Sequence, residues 1–265
     1  MPEIAEKQTL INKYQMLAKK VTQKLNESQL LEVKMFYLLI IVQAAIYIWG
    51  VIINSSAPSG NLPVPIKIGL SLSFVLAAIL VRYINKSRTY TKFVVLGMVL
   101  CFMGDLINSN VIPMVNSFII ITVTSIACFG LGHVFFIIAF VKTLKSSGIP
   151  VLGNPFYIGM IFYWAITIIS WWLLVFPADK SFMSYGVLGY GLWVSTMAAF
   201  SWPLVKIRKK YLVVAAGAFM FVVSDLFLAA TGIGGYYVPY RDAIIWATYV
   251  LALMGIVYSG KFIEE

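Results

Sequence analysis

Apolar runs of about twenty residues recur along the chain, separated by short polar or basic connections. They fall at roughly 35–54, 64–84, 93–111, 117–141, 157–176, 182–204, 211–231 and 241–260. Each is long enough to cross the hydrocarbon core of a bilayer as a helix. Polarity does not alternate from residue to residue within them, which excludes the strands of a membrane barrel. The connections leave no room for a second folded domain. The pattern predicts an all-α, polytopic membrane protein with eight transmembrane helices over residues 35–265.

Residues 1–34 read differently. They are polar and lysine-rich, with Leu10, Ile11, Tyr14, Leu17, Val21 and Leu25 at helical spacing. This predicts an amphipathic segment on the cytoplasmic membrane surface. No cleavable signal peptide precedes the first span, which is expected to act as an uncleaved anchor.

Composition agrees with the pattern: 61% hydrophobic and 11% charged residues exclude an ordinary soluble domain. The charge of +10 adds orientation. Threading the eight spans puts 17 of the 20 Lys and Arg residues on one side, leaving Lys67, Lys180 and Arg241 on the other. By the positive-inside rule both termini are cytoplasmic. The excess cation is therefore a topology signal, and no nucleic-acid partner is expected. Cys101 and Cys128 lie inside spans and read as small buried hydrophobes.

Two acids break the apolar runs. Asp105 sits in span three and Asp225 in span seven, while the other eight acidic residues lie in tails or at span ends. A carboxyl in hydrocarbon is costly unless it is protonated, paired or facing a wet cavity, so both point to function. Their surroundings match: Gly97 precedes Asp105-Leu106, and Gly217 precedes Asp225-Leu226, at the same spacing and an offset of 225 − 105 = 120 residues. Four spans separate the two, so their helices run in the same direction. This predicts a four-plus-four parallel internal repeat with both acids at about one depth. Close together, such a pair shares a proton and supplies an acid and a base.

Other polar residues fall nearby. His133, the only histidine, lies in span four, about two turns inward of the acids. It reads equally as a packing hydrogen bond or as a proton shuttle. Tyr190 and Tyr249 match the depth of the acids as hydroxyl donors, or are packed tyrosines. Asn108 follows Asp105 by three residues, hence on nearly the same face. Gly97, Gly130, Gly132 and Gly217 allow close helix approach. Lys67, Arg241, Tyr236, Tyr237 and Tyr240 edge the outer mouth, as lipid-phosphate contacts or interface anchors. No metal site is expected from one histidine, and no mid-span lysine exists for a retinal Schiff base.

Gly104-Asp105, Gly132-His133 followed by FFIIAF, and Ser224-Asp225-Leu226, in this order across residues 35–260, resemble the YhhN family, which includes the transmembrane lysoplasmalogenases. The resemblance implies hydrolysis of the vinyl ether bond of lysoplasmalogens to a fatty aldehyde and a glycerophospho-alcohol. It implies a membrane lysophospholipid and water as partners, and no cofactor. The chemistry suits an aspartate pair: one acid protonates the vinyl carbon, and one carboxylate activates water. The alternative is a proton-coupled transporter using the same aspartates. The inner halves of spans three and seven carry no charge between Phe93 and Leu100 or Tyr211 and Ala218, which favours the enzyme.

Overall fold

The computed structural model describes residues 30–53, 61–85, 89–112, 117–261 and Ile263. The expected amphipathic segment lies almost wholly outside them. The chain divides into two units, Met1–Ala44 and Ala45–Glu265; the described part of the first is the start of helix α1, Leu30–Ile53. Seven further helices follow: α2 Val64–Ile84, α3 Thr89–Asn108, α4 Phe118–Ser146, α5 Asn154–Ser170, α6 Phe182–Ser201, α7 Leu212–Gly232 and α8 Arg241–Ser259. No strand occurs among the described residues.

Local signals set the ends. Pro65 and Pro155 open α2 and α5, where a missing N–H is harmless. The Ser181 hydroxyl caps α6 by accepting from the Met183 amide at 3.2 Å. α3 stops earlier than its apolar run. Asn110, at φ 54°, turns the chain left-handed, and the Val111 amide donates back to the Leu106 carbonyl. Gly148, at φ 68°, closes α4 in the same way, five residues beyond the predicted end.

All helices except α6 are long and apolar enough to cross a membrane, and the protein is an integral, multi-pass membrane protein. α6 carries Ser184, Ser195, Thr196 and Ser201 among three glycines. Its polarity is shielded by neighbours. Ser195 and Thr167 of α5 share a hydrogen bond at 2.7 Å, and Trp171 Nε1 donates to the Ser184 carbonyl at 3.0 Å.

Six helices close a ring. α2 packs on α3, α3 on α4, α4 on α6, α6 on α7, α7 on α8, and α8 back on α2. α5 lies against the outside of α6. The tightest approaches are made by glycine. A Cβ on Gly217 of α7 would sit 2.8 Å from the Ala252 carbonyl and 2.9 Å from the Gly255 Cα of α8. Gly97 and Gly132 bring α3 and α4 together similarly, whereas Gly130 faces open space. Apolar side chains such as Leu76, Ile161 and Leu173 cover the exterior, as expected of a surface facing lipid.

Lys67 of α2 and Asp242 of α8 form an ion pair with little side-chain exposure. Removing one partner strands the other's charge, whereas an apolar replacement of both leaves none. Asp242→Ala is therefore expected to lower Tm more than the double change Lys67→Met/Asp242→Leu. A double variant that melts below the single would contradict this.

Candidate active site

Each ring helix sends one polar side chain inward: Ser71 from α2, Asp105 from α3, His133 from α4, Tyr190 from α6, Asp225 from α7 and Tyr249 from α8. The Asp105 Oδ2 accepts from the Ser71 hydroxyl at 2.5 Å and from the Tyr249 hydroxyl at 2.9 Å. All three residues are buried. Tyr190 and Asp225 line the same cleft. Packed rings link the two: Tyr249, which holds Asp105, lies edge-on to Phe221 at 5.3 Å between centroids, and Phe221 meets His133, which stacks near Tyr190. Lys67, one turn from Ser71 along α2, also lies within electrostatic range of Asp105.

The surroundings of the two acids differ. Asp105 is enclosed, with two hydroxyl donors on one oxygen. Asp225 is part exposed along a cleft, and its Oδ2 is buried without a partner. The cleft between α5, α6 and α7 is narrow, with a cavity volume of about 30 Å³, enough for a water molecule. Asp225 and Tyr190 line it with Trp171, Leu174, Val187 and Ala230, and its walls are overwhelmingly apolar. At this cleft the last turn of α5 widens into a π-helix, Trp171–Val175, in which the Phe176 amide reaches back to the Trp171 carbonyl at 2.9 Å. Such widened turns recur at functional sites.

On the other side the cluster is closed by aromatic rings. His133 lies edge-on to Phe221 at 4.8 Å between centroids and stacks near Tyr190 at 6.0 Å. Phe136 and Phe221 are fully buried beside it. His133 thus meets α7 one turn from Asp225, closer than the two turns expected. Neither of its ring nitrogens has a hydrogen-bond partner. A buried polar group left so costs about 1–3 kcal/mol. His133→Leu, close in volume, is expected to raise Tm and lower turnover. A variant of unchanged activity would reduce the imidazole to packing.

Asn108 is not brought in. It is the last residue of α3 and is exposed, because three residues on a helix rotate it away from Asp105 just where the chain leaves the ring. The candidates that sequence reasoning passed over are Ser71 and Cys101. Ser71 had one available signal: it precedes Asp105 by 34 residues, as Tyr190 precedes Asp225 by 35. Cys101 sits one turn before Asp105 and faces the same centre.

The model of the YhhN family matches residues 63–260, which include α2 to α8 and every member of the cluster. The chain belongs to the YhhN family. Neither a curated protein nor a solved structure matches it. Within this YhhN chain the family match and the closed ring of helices coincide, whereas α1 lies outside the matched region. Among the described residues no group of three or more His, Cys, Asp and Glu side chains is placed to hold a metal ion.

Proposed function

We propose that this YhhN-family protein is an intramembrane hydrolase that cleaves the vinyl ether bond of lysoplasmalogens through Asp105 and Asp225. The carrying observation is the pair itself: two carboxyls on neighbouring sides of one buried cluster, one enclosed by hydroxyl donors and one opening on an apolar cleft.

The asymmetry suggests the roles. Asp225, facing the cleft, gives its proton to the vinyl carbon remote from oxygen. The alkene electron pair forms the new C–H bond and leaves an oxocarbenium ion. Asp105, held by Ser71 and Tyr249, takes a proton from water as the water oxygen bonds to the cationic carbon. The hemiacetal then collapses. Asp105 returns its proton to the glycerol oxygen, the C–O bond breaks, and the hydroxyl proton passes to Asp225. One water is consumed, one aldehyde and one glycerophospho-alcohol are released, and both acids regain their starting states. No cofactor enters this balance. Tyr190 and His133 border the reacting group.

A four-plus-four duplication is consistent with the similar spacing of Ser71 and Tyr190 ahead of the two acids and with the two glycine-mediated helix pairs, Gly97–Gly132 and Gly217–Gly255. With eight spans and both termini cytoplasmic, the cleft lies in the outer half of the bilayer. Proton-coupled transport by the same acids would need polar access from both faces. The aromatic closure around His133, Phe136 and Phe221 favours hydrolysis. Purified protein given a lysoplasmenyl lipid is expected to release fatty aldehyde. Proton uptake into sealed vesicles without aldehyde release would instead support transport.

A further inference from the structure

Arg241 stands apart from the other charges at its end of the bundle. It is the first residue of α8, after Tyr240 at a left-handed φ of 56°. Its neighbour Asp242 is taken by Lys67. Among the described residues Arg241 pairs with no carboxylate, and its Nε is buried without a hydrogen-bond partner. The guanidinium reaches α7: a Cβ on Gly232 would lie 3.3 Å from Arg241 Nη2.

Gly232 is seven residues beyond Asp225, two helical turns, and so occupies the same stripe of α7 as Asp225 and Ala229. The guanidinium therefore stands over Asp225, about 10 Å along the helix. The turn that carries it packs on the widened end of α5. The Tyr236 hydroxyl donates to the Leu173 carbonyl at 3.4 Å, and Gly234 lies directly against the Leu174 backbone. Leu174 and Ala229 both line the cleft. An unpaired cation thus stands about two helical turns beyond Asp225, which itself lines the apolar cleft.

We infer that Arg241 binds the phosphate of a single-chain glycerophospholipid whose ether linkage reaches the narrow apolar cleft between α5, α6 and α7. This rests on the hydrolase reading and adds its headgroup contact. About 10 Å accommodates a guanidinium–phosphate contact followed by a three-carbon glycerol, which brings the chain's ether linkage to Asp225. Arginine suits the task because its planar fork meets two phosphate oxygens at once. The apolar exterior of α5, where Ile168, Ile169 and Leu173 are exposed, then receives the chain. Tyr236, Tyr237 and Tyr240, all exposed on the same turn, set it at the depth of lipid headgroups.

The test uses three ligands on the full-length protein in detergent: a saturated-ether lysophospholipid that cannot be cleaved, the chain-matched alkylglycerol without phosphate, and inorganic phosphate. Calorimetry is expected to show the lysophospholipid binding about ten- to a hundredfold more tightly than the alkylglycerol. Arg241→Gln is expected to erase most of that ratio, and Arg241→Lys to restore part of it. Size-exclusion profiles and Tm report whether each variant is folded. The inference is overturned if a folded Arg241→Gln protein keeps the wild-type ratio. It is equally overturned if inorganic phosphate binds as tightly as the lipid, which would mark a site for free anions. Because the saturated ether is inert, binding is read separately from hydrolysis. A protein that shows the Arg241-dependent ratio yet releases no aldehyde from a vinyl ether lipid keeps this site and loses the proposed reaction.

Discussion

Asp105→Asn and Asp225→Asn are each expected to cut aldehyde release from a lysoplasmenyl lipid by about 10²–10⁴-fold, the range for losing a positioned acid or base. The amide is nearly isosteric with the carboxyl but neither gives nor takes a proton at neutral pH. It still accepts the Ser71 and Tyr249 hydroxyls through its carbonyl, so Asp105→Asn should fold. The Asp225 Oδ2, which has no partner, gives Asp225→Asn no hydrogen bond to lose there. Both proteins should therefore elute as wild type and melt close to it while losing turnover. Because the two acids act in one proton cycle, the double variant should be little worse than either single one. Two folded single variants with near wild-type aldehyde release would end the catalytic assignment. Losses that multiply in the double variant would mean that the acids act independently.

Gly217→Ala is expected to destabilise the protein by about 1–3 kcal/mol, the usual cost of overpacking. The added methyl would meet the Ala252 carbonyl and the Gly255 Cα, both backbone atoms that no rotamer change can move aside. α7 and α8 would have to separate. Asp225 rides on α7 and Tyr249 on α8, so the separation should also loosen the hydrogen bond that holds Asp105. A drop in Tm with a parallel drop in turnover is the expected signature. Gly130→Ala is the control, since that position meets nothing within 4 Å. A Gly217→Ala protein as stable as the control would show that the α7–α8 approach is not what sets the ring.

Much of the scaffold was legible in the chain. The hydrophobic runs located every helix to within a few residues, because a membrane span must satisfy its backbone internally and keep apolar side chains outside. The misplaced ends have local causes. Asn110 turns α3 aside early, and α4 continues through a basic stretch to Gly148. Asp105 and Asp225 stood out because an acid in hydrocarbon needs compensation wherever it falls. The weaker candidates fared unevenly for a physical reason. Tyr249 reaches Asp105 and Tyr190 lines the cleft with Asp225, whereas Asn108, expected on the face of Asp105, ends α3 and is exposed.

The sequence by itself determined the membrane helices and the two residues too polar for them, because both follow from burial costs that act along one segment at a time. Its matched Gly–Asp–Leu frames, offset by 120 residues, raised the expectation of a paired site. Only the tertiary structure decided what surrounds each acid. Closure of α2, α3, α4, α6, α7 and α8 into a ring brings Ser71 and Tyr249 onto Asp105, leaves Asp225 open to the cleft, and sets the Arg241 guanidinium against Gly232 of α7. Those contacts join residues as far apart as Asp105 and Tyr249. They depend on which helix faces which and at what rotation, and hydrophobic periodicity within one helix carries neither.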